Sequence, residues 1–503
     1  MRSELEQQPY WERQLVEQPL RSGGFTSEIE RKVRERIRMD QRNGKPRGWF
    51  RTVAALTAFV VLLGGGWLFR DDLGSMLKQP DKNNGVPAAL RNDSLADLDV
   101  TLKVMISQYD NFTTMQEARP FLLHHPSVSI ETALMQDNDK LLEWVDKEQP
   151  DILRLSLNQY YTLAQQGKLL PLDVLIKKDG VDVDAMYQPI IELLRQYGGG
   201  QLHGLTAEFQ TRAVFVNKEL FQQYGIPLPR DGMTWDELLE TAARFQGTGT
   251  AGLLANPWSG SSLYSLVEYI RISSGLQTDT QRGEQITVDT PAWIDLWNKV
   301  AAGYREGWIY RSPEQSDSAA LSFTPSDAFL KGDAAMIIAG PYYMQQINQV
   351  WKGDKQQQWM TVTVPGNQIW DTYLGEIYAV SSTASNEKAA WEFVKFMTGR
   401  EFAKRLIGMG MTDTPVRESD VPEDMKEQTA AFYRNDLELP GDLSLVTEAV
   451  EQTNDTLASE AIELSAPLFK AVVDNELTAE QALAQLKEAL SQAAAVPKED
   501  RTQ

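Results

Sequence analysis

From Val100 onwards, short strand-like runs alternate with longer amphipathic stretches, and this alternation narrows the fold more than any other feature of the chain. "VTLKVMISQY" from Val100, "SVSIETAL" (127–134), "DILRLSL" (151–157) and "AVFVNK" (213–218) have strand composition. Between and after them, "NDKLLEWVDKE", "NQYYTLAQQG" and "TWDELLETAARFQ" read as helices. Thr234 and Glu237 form a capping box ahead of the last of these, and Thr478 with Gln481 repeats the device before "AEQALAQLKEALSQAA". Strand-helix-strand order predicts an α/β architecture with parallel pairing, whose ligands sit at the carboxyl ends of the strands.

Upstream of this body lies a single long apolar run, "GWFRTVAALTAFVVLLGGGWLFRDD" (48–72). Its purest part, 53–63, is short enough for a signal-peptide core, and Gly64–Gly66 offers small residues for cleavage. The full segment 49–69 is long enough to span a bilayer, which takes about twenty residues. Trp49 and Trp67 stand at its ends, where interfacial aromatics belong. A lead of 48 residues is too long for an ordinary signal peptide. It contains a helical patch, with Ile29, Val33 and Ile37 on one stripe and Ser27 and Glu30 at capping-box spacing. From Ser27 to Arg51 basic residues outnumber acidic ones nine to four, whereas Asp71 and Asp72 follow the run. The positive-inside rule then gives a cytoplasmic N-terminus and an extracellular body. The expected layout is a basic cytoplasmic tail (1–48), an uncleaved single-pass anchor in the cell membrane (49–69), a linker rich in Asp, Asn, Gly and Pro (70–97), and a folded body (98–503).

Composition removes several function classes. The net charge of −21 argues against a nucleic-acid partner, which needs clustered Lys and Arg. With no cysteine, thiolate nucleophiles, disulfides, Cys-based metal sites and a lipid-modified cysteine are all excluded. Of the three histidines, His124 and His125 are adjacent and make a poor metal pair, and His203 is alone. No phosphate-binding loop, dinucleotide fingerprint, HExxH or GxSxG is present. "YGGGQ" (197–201) follows a helical segment and reads as a turn, and "QDNDK" (136–140) lacks the glycine and distal Glu of a calcium loop. No cofactor and no metal are expected. Paired carboxylates for glycoside hydrolysis are set by three-dimensional geometry, and 70 Asp and Glu make some pair look plausible in any case.

"AFLKGDAAMIIAGPYYMQQI" (328–347) resembles a segment of the bacterial extracellular solute-binding proteins of ABC importers, the maltose-binding-protein-like group. Four further stretches agree in order. They are "PDILRLSLNQYYTLAQQGKLLPLD" (150–173), "LHGLTAEFQTRAVFVNKELFQQYGIPLP" (202–229), "MTWDELLETAARF" (233–245) and "NEKAAWEFVKFMTGREFAKRL" (386–406), the last followed by "TPVR" (414–417). The resemblance implies a two-lobed periplasmic-binding-protein-like fold with a hinge and an interlobe cleft. Lobe one is expected at about 98–208 and 374–430. Lobe two is expected at about 209–373 with part of the C-terminal helices.

The same resemblance nominates cleft residues. "KGDAAMIIAGP" reads as a turn, a buried strand (Ala334 to Ala339) and a Gly-Pro break that exposes the residues after it. In the family the aromatic after Gly-Pro lines the cleft, which here is Tyr342. Trp258, in "NPW" (256–258), matches a second cleft aromatic. Asn158 and Gln159 lie where the family places polar ligand contacts. The maltose binders carry charges there, so the neutral amides point away from malto-oligosaccharide while remaining able to bond hydroxyls. Phe209 and Gln210 occupy the crossover edge, with Gln210 in place of an acid. Tyr109 and Asp110 follow the first strand, and Gly375 and Glu376 mark the return to lobe one.

The resemblance implies a non-enzymatic receptor that captures a small solute, a sugar or oligosaccharide, and delivers it to ABC permease subunits. An alternative is a ligand sensor that signals through the membrane segment to the N-terminal tail, since importer receptors of this type do not carry a tail of this size. A polysaccharide-active enzyme is a third reading, unsupported by any motif.

Overall fold

The computed structural model describes residues 94–96, 98–107, 111–136, 140–255, 263–276, 286–311, 328–353, 358–408, 413–439 and 456–494. The chain divides into two units, Met1–Asn92 and Asp93–Gln503, and every described residue belongs to the second. The tail, the apolar segment 49–69 and most of the linker lie outside the described residues. Among the described residues no helix is long and apolar enough to cross a membrane.

In chain order the described strands are β1 (Val100–Ser107), β2 (Val128–Met135), β3 (Ile152–Leu155), β4 (Gly204–Thr206), β5 (Glu208–Gln210), β6 (Ala213–Asn217), β7 (Ala251–Leu254), β8 (Ala334–Ala339), β9 (Trp359–Thr363), β10 (Tyr373–Leu374), β11 (Ile377–Val380) and β12 (Thr414–Pro415). They form two large sheets, β2-β1-β3-β11-β4 and β7-β8-β6-β9. The short sheet β10-β5-β12 carries the chain from one to the other.

In the first sheet β1 pairs with β2 in parallel, from Val100↔Val128 to Ser107↔Met135, with the helix Asn111–His124 between them. β3 lies parallel to β1 on its other side. All four residues of β3 are buried, as befits a strand covered on both faces. Asp151, just ahead of β3, ties the layer together. Its carboxylate accepts from the Lys103 amide (2.8 Å) and from both the amide (2.6 Å) and hydroxyl (2.8 Å) of Ser385. Phe121 from the covering helix meets Phe393 edge-on at 5.1 Å, and both are fully buried.

The second sheet shows strand alternation plainly. Val214 and Val216 of β6 face one core, with Trp293, Trp297 and Phe469. Ala213 and Phe215 face the other, with Phe329, Tyr343 and Trp351. The C-terminal helices Thr456–Val473 and Ala479–Ala494 close the first of these cores, where Phe469 meets Trp297 at 5.2 Å. Each large side chain buried in this way contributes about 1.5–3 kcal/mol. Of the capping boxes read from the sequence, those at Thr234–Glu237 and Thr478–Gln481 are formed, and Ser27–Glu30 lies outside the described residues.

Pairing differs from the expectation at two places. β6 runs antiparallel to β8 (Ala213↔Ala339) and to β9 (Ala213↔Thr363), and β11 runs antiparallel to β3 and β4. The reason is the crossing. β6 begins only three residues after β5 ends, so it must leave the junction outwards, whereas β8 runs back to it. β11 likewise starts at the junction, with Ile377 opposite Leu155, the last residue of β3. The lobe boundary near the C-terminus also moves. Residues 425–432 pack on lobe two rather than lobe one, and Tyr433, Leu437 and Leu439 return to the lobe-one core. Thr361 Oγ1 donates to the Gln428 carbonyl at 2.7 Å, and Phe432 is buried beside Phe215. β12 is therefore a third crossing of the junction.

Candidate functional site

The junction sheet has two unlike faces. Register places Tyr373 opposite Gln210 and Leu374 opposite Phe209 on one side of β5, and Thr414 opposite Phe209 on the other. Phe209 has no exposed surface. It stacks on Tyr187 at 5.0 Å and meets Tyr433 edge-on at 5.5 Å. That face is closed. Strand alternation turns Glu208, Gln210 and Tyr373 to the opposite one.

Two flanking pairs extend this open face. The Arg212 Nε lies 2.5 Å from Asp371 Oδ2, one step beyond the Gln210–Tyr373 pair. On the other side a Cβ added at Gly375 would stand 3.0 Å from Glu208 Cγ. From the third strand's approach, Asp413 Oδ1 accepts from the Gln210 side-chain amide at 2.6 Å. The sequence signal for this face was the alternation in "EFQTR" and "DTYLGE", where every second residue is polar, aromatic or Gly.

The lobe-one border is charged. Arg154 comes from β3, near the carboxyl end of the strand, and its guanidinium lies 3.8 Å from Glu117 and 3.6 Å from Glu376. Arg154 and Glu117 are both buried. Arg154 also sits 6.0 Å from the Tyr378 ring. Burial, with Asp413, Glu117 and Glu376 nearby, pushes the Glu208 carboxyl up to about 8. It is therefore mostly protonated at neutral pH and can donate as well as accept. Burial also raises the Asp413 carboxyl, against the Gln210 hydrogen bond that lowers it.

On the lobe-two border, the Arg212 guanidinium lies 5.1 Å from the Tyr269 ring centroid. The Tyr269 hydroxyl donates to Gln368 Oε1 at 2.5 Å. Burial works against the Arg212 charge, but Asp371, Tyr269 and Tyr342 outweigh it and hold its pKa above the usual value. A cavity of about 270 Å³ opens beside Arg212, bounded by Tyr264, Glu268, Tyr269, Ile272 and the exposed Ile462.

The residues nominated from sequence fall into separate groups. Gln210, Gly375 and Glu376 belong to the junction and its lobe-one border. Phe209 is at the junction but on its closed face, so it supports the strand and presents nothing to a ligand. Asn158 and Gln159 open the helix Leu157–Gln165 directly after β3. Gln159 is engaged in a capping box, its Oε1 accepting from the Ser156 amide at 2.9 Å while the Gln159 backbone amide donates to Ser156 Oγ at 3.4 Å. Tyr342 follows β8 and is half-buried, with its ring against Gly340. Tyr343 next to it is fully buried against Phe215 at 5.2 Å. Tyr109, Asp110 and Trp258 lie outside the described residues. Glu117, Arg154, Glu208, Arg212, Asp371 and Tyr373 were not singled out from sequence. Besides the alternation that marks Glu208, Arg212, Asp371 and Tyr373, Arg154 was legible as a charge inside the apolar run "DILRL". Among the described residues no group of three His, Asp or Glu is placed to hold a metal ion.

A model of the family described as bacterial extracellular solute-binding protein matches residues 145–404, just over half of the 503-residue chain. Several solved structures share the fold. One, of a sugar-binding protein from the phytopathogen Xanthomonas citri, superposes with a TM-score of 0.57 at 15% identity, covering 78% of this chain and 97% of that one. A sugar transporter from Rhizobium etli, in an open conformation, gives 0.55 at 20% identity over 79% of this chain and 100% of that one. An extracellular solute-binding protein of family 1 from Alicyclobacillus acidocaldarius gives 0.56 at 14% identity over 79% and 99%.

Proposed function

The chain belongs to the bacterial extracellular solute-binding proteins, and from that premise we propose that it is a membrane-anchored ABC-importer receptor that takes a sugar or oligosaccharide between its lobes. The observation that carries this reading is the junction sheet. Three crossing strands join the lobes, and one face of that sheet and its continuation carry hydrogen-bonding groups at alternate positions, Glu208 and Gln210 on β5 and Arg212 just beyond it. A sugar offers hydroxyls in a row, and a half-buried row of hydrogen-bonding side chains matches that chemistry. The sugar-binding descriptions of two similar structures support the same class. Contacts drawn from both lobes favour a closed state once ligand is bound, and the crossing strands are the hinge about which closure occurs. The receptor binds and releases its solute without altering it.

Anchoring rests on the sequence. Residues 49–69 form the span, 1–48 the cytoplasmic tail and 70–97 the tether to the extracellular body. The anchor takes the place of the lipid tether that a chain without cysteine does not have. The tail, with its basic helical patch, favours a second role in which ligand occupancy is reported across the membrane.

Thermal-shift screening of the extracellular body against mono- and oligosaccharides tests the ligand class. A raised Tm with at least one sugar is expected, and none with any sugar would falsify it. Mass spectrometry of the membrane fraction tests the anchor. An intact N-terminal tail is expected, and a mature N-terminus near Trp67 means cleavage. Formation of a shortened product from any bound glycan overturns the non-enzymatic reading.

A further inference from the structure

We infer that Tyr373, on crossing strand β10, is the platform on which the ligand's ring stacks. The inference rests on the carbohydrate reading above and names the residue that reads the sugar ring. β10 is two residues long, and the two are treated oppositely. Leu374 is buried and Tyr373 is 54% exposed. A tyrosine more than half exposed at the junction of two lobes, where most large aromatics among the described residues are buried, holds apolar area in reserve for something that arrives later.

Its neighbours define what that is. Gln210 stands directly across the ladder, within the ~5 Å that separates paired Cβ atoms. The Gln210 amide is fixed by Asp413 at 2.6 Å, with its nitrogen committed as donor and its Oε1 left as the acceptor. Two residues on from Tyr373 is Gly375, which has no side chain to cover the ring from that side. On the other side Asp371 is drawn away to Arg212 at 2.5 Å. The result is an aromatic face bordered by a carboxyl, an amide and an ion pair. A pyranose has the matching shape, with an apolar C–H face for the ring and equatorial hydroxyls at its rim. A flat apolar ligand would leave the polar border unpaired, and an extended polar chain would leave the ring uncovered.

The position also distinguishes Tyr373 from an aromatic on either lobe. It sits on the hinge, so lobe rotation moves it least, and it can hold a sugar in both open and closed states.

Titration calorimetry with maltotriose, cellotriose, xylotriose and chitotriose, on wild type and on Tyr373→Ala, Tyr373→Leu and Tyr373→Phe, tests this. For each trisaccharide that wild type binds, Ala and Leu are expected to weaken affinity by about tenfold or more, and Phe by less than about threefold. Leu keeps an apolar side chain on the strand, so it reports on the ring even if Ala disturbs the hinge. Unchanged affinity in Ala and Leu overturns the platform and leaves the carbohydrate reading standing. A loss in Phe equal to that in Ala assigns the effect to the hydroxyl and also overturns it. If wild type binds none of the four, the platform falls, and the wider thermal-shift screen decides the carbohydrate reading separately.

Discussion

The Arg212 guanidinium and the Asp371 carboxylate meet at 2.5 Å and join the strand that leaves lobe one to the strand that returns to it. Both side chains are about 70% removed from water, at 28% and 30% exposure. Removing one partner of such a pair leaves a desolvated charge. Asp371→Asn should therefore lower stability by about 1–3 kcal/mol, below the cost for a fully buried pair because both groups keep some solvent. The double variant Arg212→Met with Asp371→Leu should regain most of that loss. Urea denaturation of wild type, Arg212→Met, Asp371→Leu and the double variant as a double-mutant cycle, with Asp371→Asn beside them, measures both.

Glu208 makes stability depend on pH. Its carboxyl titrates near 8 in the folded protein against an ordinary value of 4.5. Between those two values the folded state holds a proton that the unfolded chain has lost. Stability is therefore highest at the acid end of this window, falls as pH rises through it, and levels off above 8. The fall should be about 2 kcal/mol, shared among carboxyls that titrate together. Chemical denaturation at several pH values from 5 to 9 should show this slope in wild type and a flatter profile in Glu208→Gln. Equal slopes in the two proteins would refute the assignment.

Adjacent tyrosines should separate folding from binding. Tyr343 is fully buried and packs on Phe215 and Phe329. Tyr343→Ala should cost about 3–5 kcal/mol in stability. Tyr342 is half-buried after the Gly-Pro break, and Tyr342→Ala should cost about 1 kcal/mol or less while weakening sugar affinity. Melting curves and calorimetric titration of both variants decide it. A binding loss confined to Tyr343→Ala would mean that the wrong ring has been assigned to the cleft.

Phe209 should behave as a support rather than a contact. Phe209→Ala opens a cavity between Tyr187 and Tyr433 and should cost about 3–5 kcal/mol. Phe209→Leu fills most of that space and should bind sugar about as well as wild type. A large affinity loss in a stable Phe209→Leu protein would return Phe209 to the ligand face.

The sequence determined the α/β class, the first strands, the capping boxes at Thr234 and Thr478 and the buried β8, because these follow from local periodicity and from side chains within a few residues of each other. It also supported the family, through five ordered stretches. The placement of Gln210, Gly375 and Glu376 at the junction came from that resemblance and not from a local pattern.

Pairing direction and face were decided only by the tertiary structure. Whether β6 runs with or against β8 depends on where the chain enters the sheet, and that is fixed by a crossing strand far from β8 in sequence. Phe209 and Tyr373 are both aromatics on junction strands, and composition alone treats them alike. One is buried and the other open because a single residue of register sets which side of the ladder each faces, and Tyr187 and Tyr433 close only one of those sides. Glu117, Arg154 and Glu208 are likewise ordinary charges along the chain. They become a coupled group only where a helix, a strand end and a crossing strand bring them out of water together, and desolvation there, which no local pattern encodes, raises the Glu208 carboxyl.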